Sequence, residues 1–400
     1  MKQPSHQVIN YVIIISEHNL PNLTSVISQP VLPKTLWLIH TSNLRFSEAA
    51  KRFKQVMNED YPSLQVIIIT ATEGFSGENF AELNQWINQY LTPHYQTHTD
   101  EKWILNINGG TKIIPIQLIK ALSWAEIHYK AMNQQTLQRW TLDDSVLPDY
   151  PLKAPLPLQA IRTYTPCFVT HNKIDLNPQA TAIAQKIWDA FLPENPNHPH
   201  RVLAQLFKTL WHTSDAPVGK MLTIDLNTIQ TNDLTAFKAW CKELAELDAQ
   251  AISVNETQLT LPGKNNTKNK NWKKWVAGVW LETLLAHWLT EAGVTHFARS
   301  VEIREPTRDL DFVLIKQGNL QLIEAKVEPV DETKLKDIIR QITSLVRAGK
   351  LEYYLFVSPL FDQSITNQQR KEDFYETCKQ NHITVLSSKQ QLLAQLAKNA

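Results

Sequence analysis

The chain has 400 residues, of which 43% are hydrophobic, and this size and composition predict two or three packed domains. Forty Lys and Arg against 39 Asp and Glu give a net charge of +1, so no overall charge signal points to nucleic-acid binding. Cys167, Cys241 and Cys378 lie far apart, which argues against a zinc site or a disulfide framework. No apolar stretch approaches a membrane span and no secretory pattern begins the chain, so we expect a soluble cytoplasmic protein with no membrane partner.

The N-terminal part alternates between short apolar runs and amphipathic stretches. The apolar runs predict strands at Val8–Ile15, Thr35–His40, Leu64–Thr70 and Lys102–Ile107. Helices are predicted between them, around Pro21–Ser28, Ser47–Glu59 and Gly77–Leu91. This order indicates an α/β domain over residues 1–150 with a mainly parallel sheet, whose ligands collect beyond the carboxyl ends of the strands.

Two of these strand ends carry polar sequence suited to a ligand. The first strand is followed by Ser16, Glu17, His18 and Asn19, and the fourth by Asn108, Gly109, Gly110, Thr111 and Lys112. Glycines allow close backbone approach, and the helix predicted to begin near Ile113 offers free N–H groups to a phosphate. The spacing matches neither a P-loop nor a GxGxxG fingerprint. A glycine turn that only joins strand to helix is the alternative interpretation.

Residues 151–270 predict a connector that is mainly helical. It begins with a proline-rich segment, YPLKAPLPLQ, which indicates a stiff spacer. Helical patterns follow at Gln179–Phe191, Arg201–Trp211 and Leu234–Asp248, and a strand pattern follows at Ile252–Leu261. The HisProHis at 198–200 favours a loop over a metal site, because no acid or cysteine lies nearby.

A cluster of cations precedes the C-terminal part of the chain. No acid interrupts its members, Lys264, Lys268, Lys270, Lys273 and Lys274. Such a run can contact a phosphate backbone, although a solvated linker explains it equally well. It leads into Trp272–Leu289, where apolar residues at helical spacing predict a helix with Glu282 in its middle.

A β-hairpin is predicted from Asp311–Lys316 and Leu320–Val327, with Gln317-Gly318-Asn319 between them. A turn at Gln317-Gly318 would place Asp311 opposite Glu324, and a turn at Gly318-Asn319 would place it opposite Lys326. Either register brings the three side chains together, because Glu324 and Lys326 point to the same face. Asp309 is a second acid on the face of Asp311, and the sequence leaves open which of the two contributes more.

Paired carboxylates of this kind suit a hard divalent cation, Mn²⁺ or Mg²⁺, that keeps water ligands. Lys326 beside them can hold or deprotonate an attacking water, and the cation neutralises the charge of a phosphate. The ordinary alternative is a Glu-x-Lys pair on an exposed strand. The apolar strand and the acid across the turn favour the catalytic interpretation.

The hairpin resembles the PD-(D/E)xK nuclease superfamily, whose signature Asp311, Glu324 and Lys326 match residue by residue. The resemblance implies a restriction-endonuclease-like α/β domain over residues 271–400. It also implies that an acid on the preceding helix, here Glu282, completes a metal site with Asp311 and Glu324. The solvated helix glutamate is the alternative for Glu282.

The segments NINGGTK and SEHNLPN resemble the CARF domain, a CRISPR-associated Rossmann fold, and GVWLE and RDLDF resemble elements of the family that joins CARF to a PD-(D/E)xK nuclease. The sequence departs from that family at Val276-Ala277 and at Arg308. The resemblance implies an effector of type III CRISPR antiviral defence that works as a homodimer. Cyclic tetra-adenylate would bind across the dimer, lined by Ser16–Asn19 and Asn108–Lys112, and activate the nuclease by allostery. The connector would transmit dimer geometry.

Two other functions remain open from sequence. One is a restriction-type DNA endonuclease that needs no nucleotide activator. The other is a cyclic-oligoadenylate sensor or ring nuclease with a C-terminal scaffold. DNA or RNA as substrate, and the ring size of the activator, are equally open.

Overall fold

The computed structural model describes residues 8–69, 75–131, 134–165, 167–169, 178–192, 221–225, 253–262, 278–294, 296–304, 307–316, 319–327, 335–340, 351–359, 361 and 367–397, with a few isolated positions between 227 and 243. The statements that follow concern these residues. The predicted helix at Arg201–Trp211, the HisProHis at 198–200 and the lysine run from Lys264 to Lys274 lie outside them, as does most of Leu234–Asp248.

A seven-stranded sheet organises the N-terminal region. Its strands are β1 (Ile9–Ile14), β2 (Thr35–Ile39), β3 (Gln65–Ile68), β4 (Lys102–Asn106), β5 (Glu126–Tyr129), β6 (Thr136–Trp140) and β7 (Val146–Pro151). The strand order is β3-β2-β1-β4-β5-β6-β7, with β1 to β5 parallel and β6 and β7 antiparallel. The parallel strands are nearly continuous apolar runs because helices cover both faces.

The helices that flank this sheet are α1 (Leu20–Ile27), α2 (Leu44–Asp60), α3 (Phe80–Trp86), α4 (Thr92–Thr97) and α5 (Ile113–Ala121). Asn43 caps α2 by accepting the Arg45 N–H, and Asn79 caps α3. A π-helical turn at Ile87–Leu91 joins α3 to α4. The four predicted strands and three predicted helices of this region are confirmed, whereas β5 to β7 were not predicted.

The proline-rich segment is more ordered than the predicted spacer. Tyr150 and Pro151 end β7, and Pro157 begins α6 (Pro157–Tyr164). Proline at the first position of a helix is favourable, because its missing N–H has no intrahelical partner to lose. The prediction of a spacer over YPLKAPLPLQ was therefore wrong at both ends of the segment.

The connector contributes strands as well as helices. Its elements are β8 (Cys167–Val169), α7 (Pro178–Phe191), β9 (Met221–Asp225), β10 (Ser253–Val254) and β11 (Gln258–Pro262). The helix predicted at Gln179–Phe191 is confirmed as α7. Strands β9 to β11 form a small antiparallel sheet, in which β10 and β11 lie at the strand pattern predicted at Ile252–Leu261.

A six-stranded sheet forms the core of the C-terminal region. Its strands are β12 (Phe297–Arg304), β13 (Thr307–Lys316), β14 (Asn319–Lys326), β15 (Leu351–Val357) and β16 (Ile383–Leu386), with β8 from the connector at one edge. The order is β16-β15-β14-β13-β12-β8. Helices α8 (Trp280–Glu291), α9 (Gln368–Gln380) and α10 (Lys389–Ala397) complete this region.

Strands β13 and β14 form the predicted antiparallel hairpin. Lys316 pairs with Asn319 and Phe312 with Ile323, the last pair of the ladder, and the same register extended by one residue would place Asp311 opposite Glu324. Of the two registers left open by the sequence, this is the one in which Gln317 and Gly318 lie between the paired strands.

Helix α6 lies between the two large sheets. It contacts α1 and α2 on one side and β12, β13 and β14 on the other. Ala160 and Ile161 are fully buried in an apolar cluster that runs from α1 and α2 to the C-terminal sheet. A second cluster surrounds α7 and α8 on the opposite face of that sheet. Among the described helices, none is long and apolar enough to cross a membrane.

Candidate functional sites

The first candidate site is the carboxylate pair on the hairpin. Glu324 is 6% exposed, and Asp311 is half-buried. An oxygen of the Asp311 carboxylate accepts the backbone N–H of Ala325 at 2.7 Å, which fixes Asp311 against the strand that carries Glu324. Lys326 forms an ion pair with Oε1 of Glu324. Asp311, Glu324 and Lys326, the three residues predicted from the PD-(D/E)xK pattern, therefore lie next to one another.

The other oxygen of Glu324, Oε2, is buried and has no hydrogen-bond partner among the described residues. A buried charged oxygen without a donor is costly, unless a cation or water satisfies it. This orphaned oxygen beside a second carboxylate suits a hard cation such as Mn²⁺ or Mg²⁺. Within the described ranges, no three acidic, His or Cys side chains are already gathered closely enough to enclose a metal ion. Asp311 and Glu324 thus fit a cation as a pair.

Glu282 lies on α8, whose described part begins at Trp280. The N-terminal part of the predicted helix, before residue 278, lies outside the described residues. Its carboxylate is close enough to influence Asp311 electrostatically. Arg299 on β12 places Nη2 at 3.6 Å from Oε2 of Glu282. Asp309 is exposed and pairs with Glu302 of β12, whereas Asp311 is bonded to Ala325 of β14. Sequence reasoning did not assign a role to Arg299 in this cluster.

The pKa directions of this cluster follow from burial and from the packing of like charges. Burial raises the pKa of Asp311 well above its usual range, and the carboxylates of Glu324 and Glu282 raise it further. Burial alone would lower the pKa of Lys326, but Glu324 and Asp311 raise it above its ordinary value. In the protein without a cation, Lys326 is therefore an ammonium group that holds Glu324 and not a base.

The second candidate site is the carboxyl edge of the N-terminal sheet, beginning with the loop after β1. Asn19 is 1% exposed, and its side chain closes the loop by accepting the Ser16 N–H at 3.2 Å and donating to the Ser16 carbonyl at 2.8 Å. Glu17 pairs with Arg45 of α2 at 2.8 Å, and His18 is exposed. The predicted loop is present, and Asn19 shapes it from within.

The glycine pair after β4 packs directly against the end of β1. A Cβ added to Gly109 would lie 1.8 Å from the carbonyl oxygen of Ile14. Gly110 has a φ of +79°, which side-chain-bearing residues rarely adopt. Because Ile14 comes two residues before Ser16, the glycines bring the two predicted segments into contact. The glycine turn therefore joins β4 to α5, as the alternative interpretation has it. It also brings the loops after β1 and β4 together at this edge of the sheet.

Two of the other predicted residues at this edge are engaged with the protein itself. Asn108 exchanges hydrogen bonds with the backbone of Lys130, at 2.7 Å and 2.8 Å, and Thr111 donates to the Gly77 carbonyl at 2.7 Å. Lys112 is exposed immediately before α5. Arg45 and Lys130 were missed by sequence reasoning. Lys130 could have been found only if β5, whose carboxyl end it follows, had been recognised as a strand.

Comparison with known proteins supports the N-terminal assignment. Residues 10–145 match the family model of the Card1 CARF domain. In contrast, no curated protein matches the chain in sequence.

Two solved structures share the fold over nearly the whole chain. Protein VC1899 from Vibrio cholerae is 14% identical, with a TM-score of 0.69, over 98% of this chain and 99% of that one. Can2 from Sulfobacillus thermosulfidooxidans, in complex with cyclic tetra-adenylate, is 18% identical, with a TM-score of 0.62, over 98% of each chain. The N-terminal region of this chain is therefore CARF-like, and the chain as a whole has the fold of these two proteins.

Proposed function

We propose that this protein is a metal-dependent endonuclease that cyclic tetra-adenylate activates in type III CRISPR defence. The observation that carries the proposal is the hydrogen bond that holds Asp311 against Ala325, between Glu324 and Lys326, in a chain whose N-terminal region is CARF-like. The shared fold with Can2, which binds cyclic tetra-adenylate, supports the choice of activator. DNA and RNA both remain candidate substrates.

Each residue of the hairpin has a chemical task in this proposal. Asp311 and Glu324 would hold Mn²⁺ or Mg²⁺, with Glu282 as a further carboxylate that completes the site. A bound cation would supply charge neutralisation for the scissile phosphate and an acidified water. Lys326, held as an ammonium beside Glu324, orients the attacking water and the phosphate by donating hydrogen bonds.

Recognition of the activator is assigned to the carboxyl edge of the N-terminal sheet. Ser16–Asn19 and Asn108–Lys112 line the two loops there, and Lys112 adds a cation at the start of α5. A helix N-terminus and a lysine suit the phosphates of a cyclic oligoadenylate. Arg45 is added to the predicted set because it reaches Glu17 at 2.8 Å. Because a cyclic tetranucleotide has two-fold symmetry, we propose that a homodimer binds it.

Helix α6 is the proposed route between the two sites. Its Tyr164 packs against the apolar cluster that contains Leu20, the residue directly after Asn19. Its Arg162 forms ion pairs with Glu59 and Asp60 at the end of α2. Movement of α1 or α2 on ligand binding would therefore displace α6.

The opposite side of α6 faces the hairpin. Ile161 shares an apolar cluster with Leu310 and Val313, which lie on either side of Asp311 in β13. Packed interiors respond to displacement by discrete shifts and not by compression. A shift of α6 would therefore change the position of Asp311.

The proposal is tested by cleavage of single-stranded RNA, single-stranded DNA and plasmid with Mn²⁺, with and without cyclic tetra-adenylate. Wild type is compared with Glu324→Ala and with Glu372→Ala, an exposed glutamate on α9 that serves as the matched control. We expect cleavage that needs both the activator and Glu324, with Glu372→Ala unchanged. Cleavage without activator would instead indicate a restriction-type enzyme. Tight activator binding with no cleavage of any substrate would indicate a sensor.

A further inference from the structure

Strand β12 changes the face that it presents at Ser300. In a regular strand, side chains two residues apart point to the same face. Phe297 packs against the cluster around α8, yet Val301 and Ile303 belong to the cluster on the opposite face of the sheet. The alternation is therefore inverted between Phe297 and Val301.

Ser300 is the residue at which the inversion occurs. Its φ is +51°, a left-handed conformation that is uncommon for serine and marks a strained position. The ladder pairs Arg299 with Phe312 and Val301 with Leu310, but the intervening pair, Ser300 with Asp311, is missing from it. The irregularity of β12 thus lies directly opposite the carboxylate that begins the candidate metal site. Because of this conformation, Arg299 lies on the α8 face of β12 while Val301 faces the opposite cluster.

Arg299 stands immediately before the inversion and shares the α8 face of β12 with Phe297, two residues earlier. Its guanidinium turns toward the start of α8, where Nη2 lies 3.4 Å from the carbonyl oxygen of Val279, 3.4 Å from Oγ1 of Thr283 and 3.6 Å from Oε2 of Glu282. Its Cζ is 5.7 Å from the centre of the Phe312 ring. The Arg299 side chain is 11% exposed and that of Glu282 is 15% exposed. Because both groups are shielded from water, the interaction is little screened by salt.

The charges of the neighbouring side chains indicate the role of the buried Arg299. The carboxylates of Glu324 and Glu282 both act electrostatically on Asp311, and Lys326 pairs with Glu324. Arg299 supplies a second cation, whose Nη2 lies 3.6 Å from Oε2 of Glu282. A cation so placed also lowers the attraction of the cluster for a metal ion.

We propose that Arg299 is a positioning residue that holds Glu282 beside Asp311 and Glu324, and that the left-handed Ser300 aims it there. The inference rests on the proposed nuclease function, which it deepens. In this arrangement Arg299 lowers the affinity of the cluster for a metal ion but helps to position the Glu282 carboxylate. Its removal makes the cluster more negative and takes away the contact of Nη2 with Glu282.

The test measures Mn²⁺ binding by isothermal titration and turnover at saturating Mn²⁺ and cyclic tetra-adenylate. In Arg299→Gln we expect Mn²⁺ to bind as tightly as in wild type or more tightly, while kcat falls by about 10- to 100-fold because Glu282 is misplaced. Arg299→Lys should keep the wild-type affinity and recover part of kcat. Arg370→Gln, at an exposed arginine on α9, is the matched control and should change neither quantity. Weaker Mn²⁺ binding in Arg299→Gln, or a kcat within about twofold of wild type, would overturn the proposal.

Substitutions at Ser300 test the second half of the proposal. Glycine adopts a positive φ freely, so Ser300→Gly should retain wild-type kcat. Valine is β-branched and disfavours that conformation, so Ser300→Val should lose kcat to the same extent as Arg299→Gln while still binding cyclic tetra-adenylate. Wild-type turnover in Ser300→Val would show that the left-handed residue does not aim Arg299.

A double-mutant cycle separates this proposal from the proposed function. The melting temperatures of Arg299→Gln, Glu282→Gln and the combined variant need no nuclease activity. Shifts that do not add establish that the two side chains are coupled, and additive shifts contradict it. A wild-type protein that neither binds Mn²⁺ nor cleaves would count against the proposed nuclease function. The cycle would still show whether Arg299 and Glu282 interact.

Discussion

The carboxylate of Asp311 accepts the backbone N–H of Ala325, the residue between Glu324 and Lys326, at 2.7 Å. The bond joins β13 to β14 at the point where the two strands no longer pair backbone to backbone, since the last paired residues are Phe312 and Ile323. A side chain thus replaces a rung of the ladder. This keeps Asp311 beside Glu324 while leaving its second oxygen available to a ligand.

Substitutions at Asp311 and Asp309 show which of the two acids of β13 is needed for cleavage. Asp311→Asn can still accept the Ala325 N–H through its amide oxygen, so we expect the fold to be retained. Turnover with Mn²⁺ and activator should fall by about 100-fold or more, because the amide does not replace a metal-bound carboxylate. Asp309→Asn is the matched control, since Asp309 is exposed, and it should stay within about threefold of wild type. A larger loss at Asp309 than at Asp311 would reverse the assignment.

The sequence predicts the chemistry of the hairpin better than its geometry. Strand patterns and the Asp, Glu and Lys types were sufficient to bring Asp311, Glu324 and Lys326 together, because alternation fixes the faces. They left two registers open, since Gln317-Gly318-Asn319 is compatible with two turn positions. The left-handed Ser300 had no sequence signal, because serine is not a residue that marks positive φ. The role of Arg299 depends on that conformation and was missed for the same reason.

Elements that depend on tertiary packing were also missed. Strand β5 contains Glu126 and His128, which are polar residues in a short run and lack the apolar signal of the other parallel strands. They are buried because Lys102, Arg139 and Tyr11 surround them. Helix α6 was hidden by its prolines, which suit a helix start as well as a spacer. In both cases long-range partners decided the structure, and a local pattern does not contain them.

Replacement of Gly109 tests the packing of the sheet edge at which we propose that the nucleotide binds. The Cβ of Gly109→Ala would lie 1.8 Å from the Ile14 carbonyl oxygen, so the loop must move away from β1. We expect a loss of about 1–3 kcal/mol in the free energy of unfolding and a marked loss of cyclic tetra-adenylate binding. Urea unfolding and equilibrium titration of the nucleotide measure the two effects. Gly278→Ala, where an added Cβ meets no atom within 4 Å, should preserve nucleotide affinity. An unchanged affinity in Gly109→Ala would contradict the placement of the activator.

The acid stability of the N-terminal sheet should depend on Glu126. Burial alone would raise the pKa of Glu126, but hydrogen bonds from His128, Lys102 and Arg139 lower it from 4.5 to about 2. Because the pKa of Glu126 is lower in the folded protein than in the unfolded chain, its ionised carboxylate contributes its full stabilisation above about pH 4.5. This contribution is lost as the pH falls toward 2. Burial also lowers the pKa of His128 below its ordinary 6.5, so its own contribution begins to be lost below that pH.

Glu126→Gln isolates the carboxylate contribution. At pH 7 the variant should be less stable than wild type, on the order of 2 kcal/mol, because Lys102 and Arg139 lose their buried partner. Between pH 4.5 and pH 3 its stability should fall less steeply than that of wild type, since the titrating group is absent. Urea unfolding at these pH values measures both differences. Parallel pH profiles for the two proteins would show that Glu126 does not titrate in this window.

Removal of the Arg162 charge tests the proposed route through α6. Arg162→Gln loses the ion pairs with Glu59 and Asp60 at the end of α2 but keeps a polar side chain, so we expect unchanged affinity for cyclic tetra-adenylate and unchanged Mn²⁺ binding. The ratio of activated to basal cleavage should fall by up to about fivefold, because a partly exposed ion pair contributes about 1 kcal/mol or less to whichever state contains it. Arg370→Gln, at an exposed arginine on α9, is the control. Equal activation ratios in the two variants would mean that the signal does not pass through the contact between α6 and α2.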